Sequence, residues 1–284
     1  MKFPRRLGIF WLLGLLVGPA AAGAVVSFPS LDAPAGQAIQ LKADWHPVDG
    51  PKAGAIVMLH GCGGAYGREG QPSERTREYT QLFNAQGFHV LVLDSFGPRG
   101  EREICTQRTG TRRITMANRR PDALAALRWL AQQPGVDAQK LGFIGWSNGG
   151  STVLSATNLL HREVATSSPK PAFAIAFYPG CESDLKRGYK PSAPLLMLVG
   201  EADDWTPAAP CHQLAKASAE PRPQIEGYAG AYHGFDSSAP VRLRRDVPNG
   251  TNPGQGVHVG GQPEALAASR ARLLQFLQAH VTRP

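Results

Sequence analysis

Three absences narrow this chain of 284 residues before any motif is read. It has no Cys-x-x-Cys pair, no run of five like charges and, past its first segment, no apolar stretch long enough to cross a bilayer. The first absence argues against a zinc centre. The four cysteines (Cys62, Cys105, Cys181 and Cys211) stand far apart, and His212 beside Cys211 has the wrong spacing to complete a ligand set. The second argues against nucleic acid as a partner. The formal charge of +8 comes without interleaved basic and aromatic residues, and Lys2, Arg5 and Arg6 of the first segment account for three of its cations, leaving +5. The third predicts a chain with no membrane association once that segment is removed. No internal repeat is visible.

What is present begins with a leader. Lys2, Arg5 and Arg6 precede an apolar run from Leu7 to Val17 and a small-residue exit, Pro19-Ala20-Ala21-Ala22. The run is short for a membrane span and reads as a secretory signal covering residues 1–23, cleaved after Ala22 or Ala24. The expected location is therefore periplasmic or secreted. In an oxidising compartment an even cysteine count predicts two disulfides, and Cys62–Cys105 with Cys181–Cys211 is the favoured pairing because each joins neighbouring loops.

From residue 24 to 284 the patterning predicts one domain of alternating strands and helices. Strands are expected at 24–28, 38–45, 55–59, 88–93, 141–144, 172–178, 194–199 and 224–228, and helices at 71–86, 122–133, 151–160, 207–219 and 263–280. Pro121 marks a first helical position for the second helix. Residues 95–118 and 237–261 are expected as long loops. Such an alternation gives a mostly parallel central sheet with helices on both faces, whose ligands bind beyond the carboxyl ends of the strands.

The chemistry is expected at those ends. Gly145-Trp146-Ser147-Asn148-Gly149, set between an apolar run and a small-residue helix, has the Gly-x-Ser-x-Gly form of a nucleophile elbow. A serine hydroxyl needs a base held by a carboxylate. Of the eight histidines, His233 in Ala231-Tyr232-His233-Gly234-Phe235 follows the last expected strand, and His258 in the glycine-rich loop is its rival. Gly200-Glu201-Ala202-Asp203-Asp204 supplies the acid, Asp203 in first place and Asp204 in reserve. The oxyanion needs two N–H donors, expected from Asn148 and from Cys62 in the turn His60-Gly61-Cys62-Gly63-Gly64.

The motifs GWSNGG, GEADDWTP and AYHGFD, in that order, resemble the dienelactone hydrolase family of α/β-hydrolases, from about Ala55 to Leu277. The resemblance implies an α/β-hydrolase fold with Ser147 as nucleophile, Asp203 as acid and His233 as base. Asp203 lies three residues past Gly200 and four before Pro207, as the family motif has its acid. The family's well-known cytoplasmic members carry a cysteine nucleophile and a glutamate in the oxyanion turn. Here Ser147 and Gly61 occupy those places, which fits a serine esterase.

The resulting expectation is a carboxylic ester hydrolase acting on a small-molecule ester or lactone, without metal or organic cofactor, as a monomer or homodimer. A peptidase or acyltransferase with the same machinery, and a non-catalytic periplasmic binding protein, are the alternatives. For the substrate, Arg99 is the nearest of the connection's arginines to its strand end and is expected to pair with a carboxylate. Trp146 and Trp205 are expected to line an apolar acyl pocket.

Overall fold

A computed structural model describes residues 23–67 and 70–281. The expected leader lies outside the described residues, Gly23 apart. In chain order the elements are β1 (Ala24–Pro29), β2 (Gln40–His46), β3 (Ala53–Leu59), α1 (Glu74–Ala85), β4 (His89–Asp94), α2 (Met116–Leu130), β5 (Val136–Trp146), α3 (Asn148–Thr157), α4 (Arg162–Thr166), β6 (Phe173–Phe177), α5 (Glu182–Arg187), β7 (Leu195–Gly200), α6 (Ala208–Ala217), β8 (Gln224–Tyr228), β9 (Arg242–Arg244), β10 (Val257–Val259) and α7 (Pro263–Val281).

Eight strands form one sheet in the order β1-β2-β4-β3-β5-β6-β7-β8. The pairs β1–β2 and β2–β4 are antiparallel, and every pair from β4 to β8 is parallel. Helices cover both faces, the arrangement of an α/β-hydrolase. The period-2 alternation of a strand sorts the apolar side chains between two cores. Ala55, Val57 and Leu59 of β3 join Leu127 and Leu130 of α2 and Val153 of α3. Ile56 and Met58 point the other way, into Tyr79 and Phe83 of α1 and Leu273, Phe276 and Leu277 of α7. Being covered on both sides, the central strands read in sequence as unbroken apolar runs.

Helix α2 starts five residues before Pro121. Thr115 accepts from the Ala117 amide while Asn118 accepts from the Thr115 amide, a reciprocal cap that starts the helix at Met116. Pro121 then forgoes one hydrogen bond inside α2. The loop at 237–261 contains the small antiparallel pair β9–β10, and the 95–118 connection contains two short 3-10 turns. Disulfides join Cys62 to Cys105 across 43 residues and Cys181 to Cys211 across 30. The former ties the turn after β3 to the arginine-bearing connection, and the latter ties the start of α5 to α6.

Arg99 departs from its expected role. It ends the 3-10 turn Gly97–Arg99 and folds back from the strand end. Its guanidinium donates to both oxygens of Asp122, at 2.8 and 2.9 Å, and to Asp32 at 2.6 Å. Asp122 is fully buried and also accepts from Ser30, so Arg99 neutralises a carboxylate at the N-terminal half of α2. Removing one partner of a buried ion pair typically costs about 3–5 kcal/mol. Arg99→Ala should therefore lower unfolding stability on that scale in urea titrations. It should leave the ratio of activities on acidic and neutral esters unchanged.

Candidate functional site

Ser147 sits between β5 and α3 with φ 54° and ψ −118°, a conformation that costs an L-residue free energy and is held by its surroundings. Two glycines permit it. A Cβ on Gly145 would lie 2.3 Å from the Gly149 carbonyl oxygen, and one on Gly149 would lie 1.9 Å from that of Leu59. Strand and helix thus meet at backbone contact, against the end of β3. The Ser147 amide donates to the Phe177 carbonyl at 2.9 Å, which pins the turn to β6.

Asp203 and His233, the expected acid and base, meet at the neighbouring strand ends. Asp203, in the loop after β7, is buried, and its Oδ2 lies 2.8 Å from His233 Nδ1. Its Oδ1 accepts from the Trp205 and Thr206 amides at 2.8 and 2.9 Å, and Thr206 Oγ1 lies 3.0 Å from Oδ2. These bonds fix the carboxylate before it orients the imidazole. His233 is itself buried between two rings, Trp205 and Tyr178, each with its centroid 4.6 Å away. The bond to Asp203 occupies Nδ1 and leaves Nε2 for a second partner. Ser147, Trp205 and Thr206 line one cavity of about 1020 Å³, and the last two touch His233. Among the described residues no direct Ser147–His233 hydrogen bond is formed; such contacts often tighten only when substrate binds.

The two residues that rivalled this pair in sequence are bound to each other. Asp204 accepts from the His258 amide at 2.8 Å and lies 2.7 Å from His258 Nδ1. His258 belongs to β10, so this second pair fastens the β9–β10 hairpin to the acid loop. The segment after the hairpin in turn holds the His233 loop: Gly260 donates to the His233 carbonyl at 3.0 Å and Gln262 to that of Phe235 at 3.0 Å.

Cys62 and Asn148 both line the cavity beside Ser147. Among the described residues neither amide donates to a backbone carbonyl. Asn148 opens α3, whose N-terminal end favours developing negative charge. Trp205 lines the cavity while packing on His233. Trp146 does not reach it. It is buried on the opposite side of the turn against Tyr79 and Phe177, and its Nε1 donates to Asp236 at 2.9 Å.

Asp236 is a site residue that sequence reasoning passed over, although it ends the AYHGFD motif. Buried, it accepts from Trp146 next to the serine, from Tyr178 at 2.7 Å and from Arg75, whose Nη2 lies 3.1 Å away. One carboxylate so connects the histidine loop to the ends of β5 and β6. Burial and the Asp236 charge together push the Tyr178 hydroxyl well above the usual phenol range, keeping it a hydrogen-bond donor.

A model of the dienelactone hydrolase family matches residues 44–281. The chain belongs to that family. It is similar to a probable 2-oxo-3-(5-oxofuran-2-ylidene)propanoate lactonase from a Bradyrhizobium species, 26% identical over 164 residues. That alignment covers 52% of this chain and 62% of the length of that curated relative. Among solved structures, Thermogutta terrifontis esterase 2 phosphorylated by paraoxon has a TM-score of 0.61 at 20% identity, covering 94% of this chain and 98% of its own. A dienelactone hydrolase-like promiscuous phosphotriesterase from metagenomic libraries has a TM-score of 0.59 at 19% identity, covering 92% and 99%. These two likenesses show a shared fold.

In this member of the dienelactone hydrolase family, adjacent carboxylates serve different histidines, which makes a discriminating pair of variants. Asp203→Asn should lower hydrolytic kcat on the order of 10⁴-fold, as expected when the imidazole loses its orienting acceptor. Asp204→Asn should keep kcat within about threefold and instead lower stability by about 1–2 kcal/mol through the loosened hairpin. Steady-state kinetics and thermal unfolding of both proteins check this.

Proposed function

We propose that this protein hydrolyses carboxylic esters or lactones through an acyl-serine intermediate. The observation that carries the reading is the buried Asp203–His233 contact, joined through Trp205 and Thr206 to a cavity that is also lined by a serine held at positive φ. Family membership supports it, as does the name of the Bradyrhizobium relative, a lactonase.

In this reading Ser147 Oγ attacks the carbonyl carbon while His233 Nε2 takes its proton. The oxyanion is received by the Cys62 and Asn148 amides, two backbone donors that would stabilise the charge as it develops. Collapse of the tetrahedral species breaks the C–O bond, and His233 returns the proton to the departing alkoxide. For a lactone the alcohol stays tethered to the acyl group. Water, deprotonated by His233, then attacks the acyl carbon and releases the acid, and the proton returns to Ser147. Asp203 keeps the imidazole in the tautomer that presents Nε2.

The cavity also supports a preference for anionic substrates. Arg108 and Arg112, both in the connection after β4, line its wall. Arg108 is exposed and makes no ion pair among the described residues, while Arg112 donates through Nε to the Gln107 carbonyl. In this reading the carboxylate role expected of Arg99 passes to residues on the same connection that line the cavity shared with Ser147. The two disulfides support a place in an oxidising compartment, periplasmic or extracellular.

An organophosphate probe tests the nucleophile. Treatment with a fluorophosphonate should give a single adduct on Ser147 by peptide mass spectrometry, and Ser147→Ala should lose both the adduct and hydrolysis of a short-chain aryl ester. An unlabelled, inactive protein would instead mark a binding module. The double variant Arg108→Ala, Arg112→Ala should raise KM about tenfold for esters bearing a carboxylate, the worth of one charge-assisted contact, and leave neutral esters unaffected.

A further inference from the structure

Arg119 is one of the largest fully buried side chains in the molecule and has no place in the chemistry described so far. It projects from the fourth position of α2, between the end of β3 and the start of α3. Its Nη2 donates to the His60 carbonyl at 2.8 Å and its Nη1 to the side-chain oxygen of Asn148, while Nε has no partner. The guanidinium lies 5.0 Å from the Phe96 ring centroid. Among the described residues no carboxylate comes within ion-pairing distance of it. Asp122 is engaged by Arg99 and Ser30, and Asp94 Oδ1 accepts the Phe96 and Gly97 amides.

A buried cation without a direct counter-ion is costly, and apolar side chains of similar volume would pack α2 against the sheet at no such penalty. Its placement explains what the cost secures. The two acceptors belong to the two backbone segments that present the oxyanion donors: His60 begins the turn that carries Cys62, and Asn148 follows the nucleophile. One side chain thus hydrogen-bonds both segments. His60 is immobilised as well, with Nδ1 2.8 Å from the Gly61 carbonyl and Nε2 accepting from the Ser95 amide at 3.3 Å. Burial and the adjacent Arg119 charge hold the imidazole neutral, well below the usual histidine range.

We propose that Arg119 is a positioning residue for the oxyanion site, fixing the Cys62 and Asn148 amides relative to each other and placing a positive charge behind them. The inference rests on the acyl-serine reading. Because the oxyanion exists only in the transition state and the tetrahedral intermediate, Arg119 should act on kcat and hardly on KM.

The test compares Arg119→Lys, which keeps the charge but loses the planar fork that serves the two acceptors from separate nitrogens, with Arg119→Met, which keeps neither. Each is assayed with a short-chain aryl ester and with a trifluoromethyl ketone that captures Ser147 as a tetrahedral adduct. Expected is a fall in kcat of about 100-fold for Met and a smaller one for Lys, with KM within about twofold. The inhibition constant of the ketone should rise in parallel with the loss in kcat/KM. A purely structural arginine would lower thermal stability while leaving kcat of the folded enzyme and ketone affinity unchanged, and that outcome overturns the proposal. If neither variant folds, Asn148→Ala, which removes one anchor but keeps the backbone amide, decides: about tenfold lower kcat with weaker ketone binding supports the proposal, and wild-type values overturn it. Wild-type protein that neither cleaves the ester nor is labelled at Ser147 sinks the acyl-serine reading, and this inference with it. Active wild type with unaltered variants sinks this inference alone.

Discussion

The site depends on three backbones meeting without side chains between them. The end of β3, the turn at Ser147 and the first residues of α3 lie so close that a single methyl at Gly149 would overlap the Leu59 carbonyl. That closeness places the serine at positive φ and directs the start of α3 at the cavity. It also brings the His60 turn alongside Asn148, so both expected oxyanion donors follow from one packing constraint. The rest of the polar framework keeps this junction rigid. Asp236 connects the histidine loop to the residue before the serine, and the Cys62–Cys105 bond connects the oxyanion turn to the arginine-bearing connection.

Such a design divides the cost of a strained turn among many neighbours. Ser147 and Tyr178 are two of the three non-glycine residues with positive φ among the described residues, and both adjoin the site. Each is fastened through its amide to the next strand of the sheet, Ser147 to Phe177 and Tyr178 to Leu198. Local strain is thus balanced by ladder-like hydrogen bonds and by the dense aromatic packing of Trp146, Phe177 and Phe235 beneath.

What could be read from the sequence follows the same physics. The strand–turn–helix at Ser147 was legible because its glycine spacing answers a local steric demand. The central strands were legible because burial on both faces leaves no polar alternation. The choice between Asp203 and Asp204, and between His233 and His258, was open to residue-level reasoning because each candidate has suitable chemistry. Only the folded chain shows that they form two pairs rather than one. Arg99 was misassigned because distance from a strand end says nothing about direction, and a 3-10 turn reverses it toward Asp122. The early start of α2 was marked by Thr115 and Asn118, three residues apart, but Pro121 offered a louder signal. Strands β9 and β10, three residues each, are too short to carry any periodicity.

The hydrogen bonds from Gly260 and Gln262 to the His233 and Phe235 carbonyls have a bearing on when His233 is held in place. A nascent polypeptide carries Ser147 and Asp203, the expected nucleophile and acid, by residue 203, yet the segment that clasps His233 arrives more than fifty residues later. Any chain interrupted ahead of Gly260 is without that clasp, however complete its sheet. Fixing of the His233 loop is therefore deferred until residues 260–262 have been made.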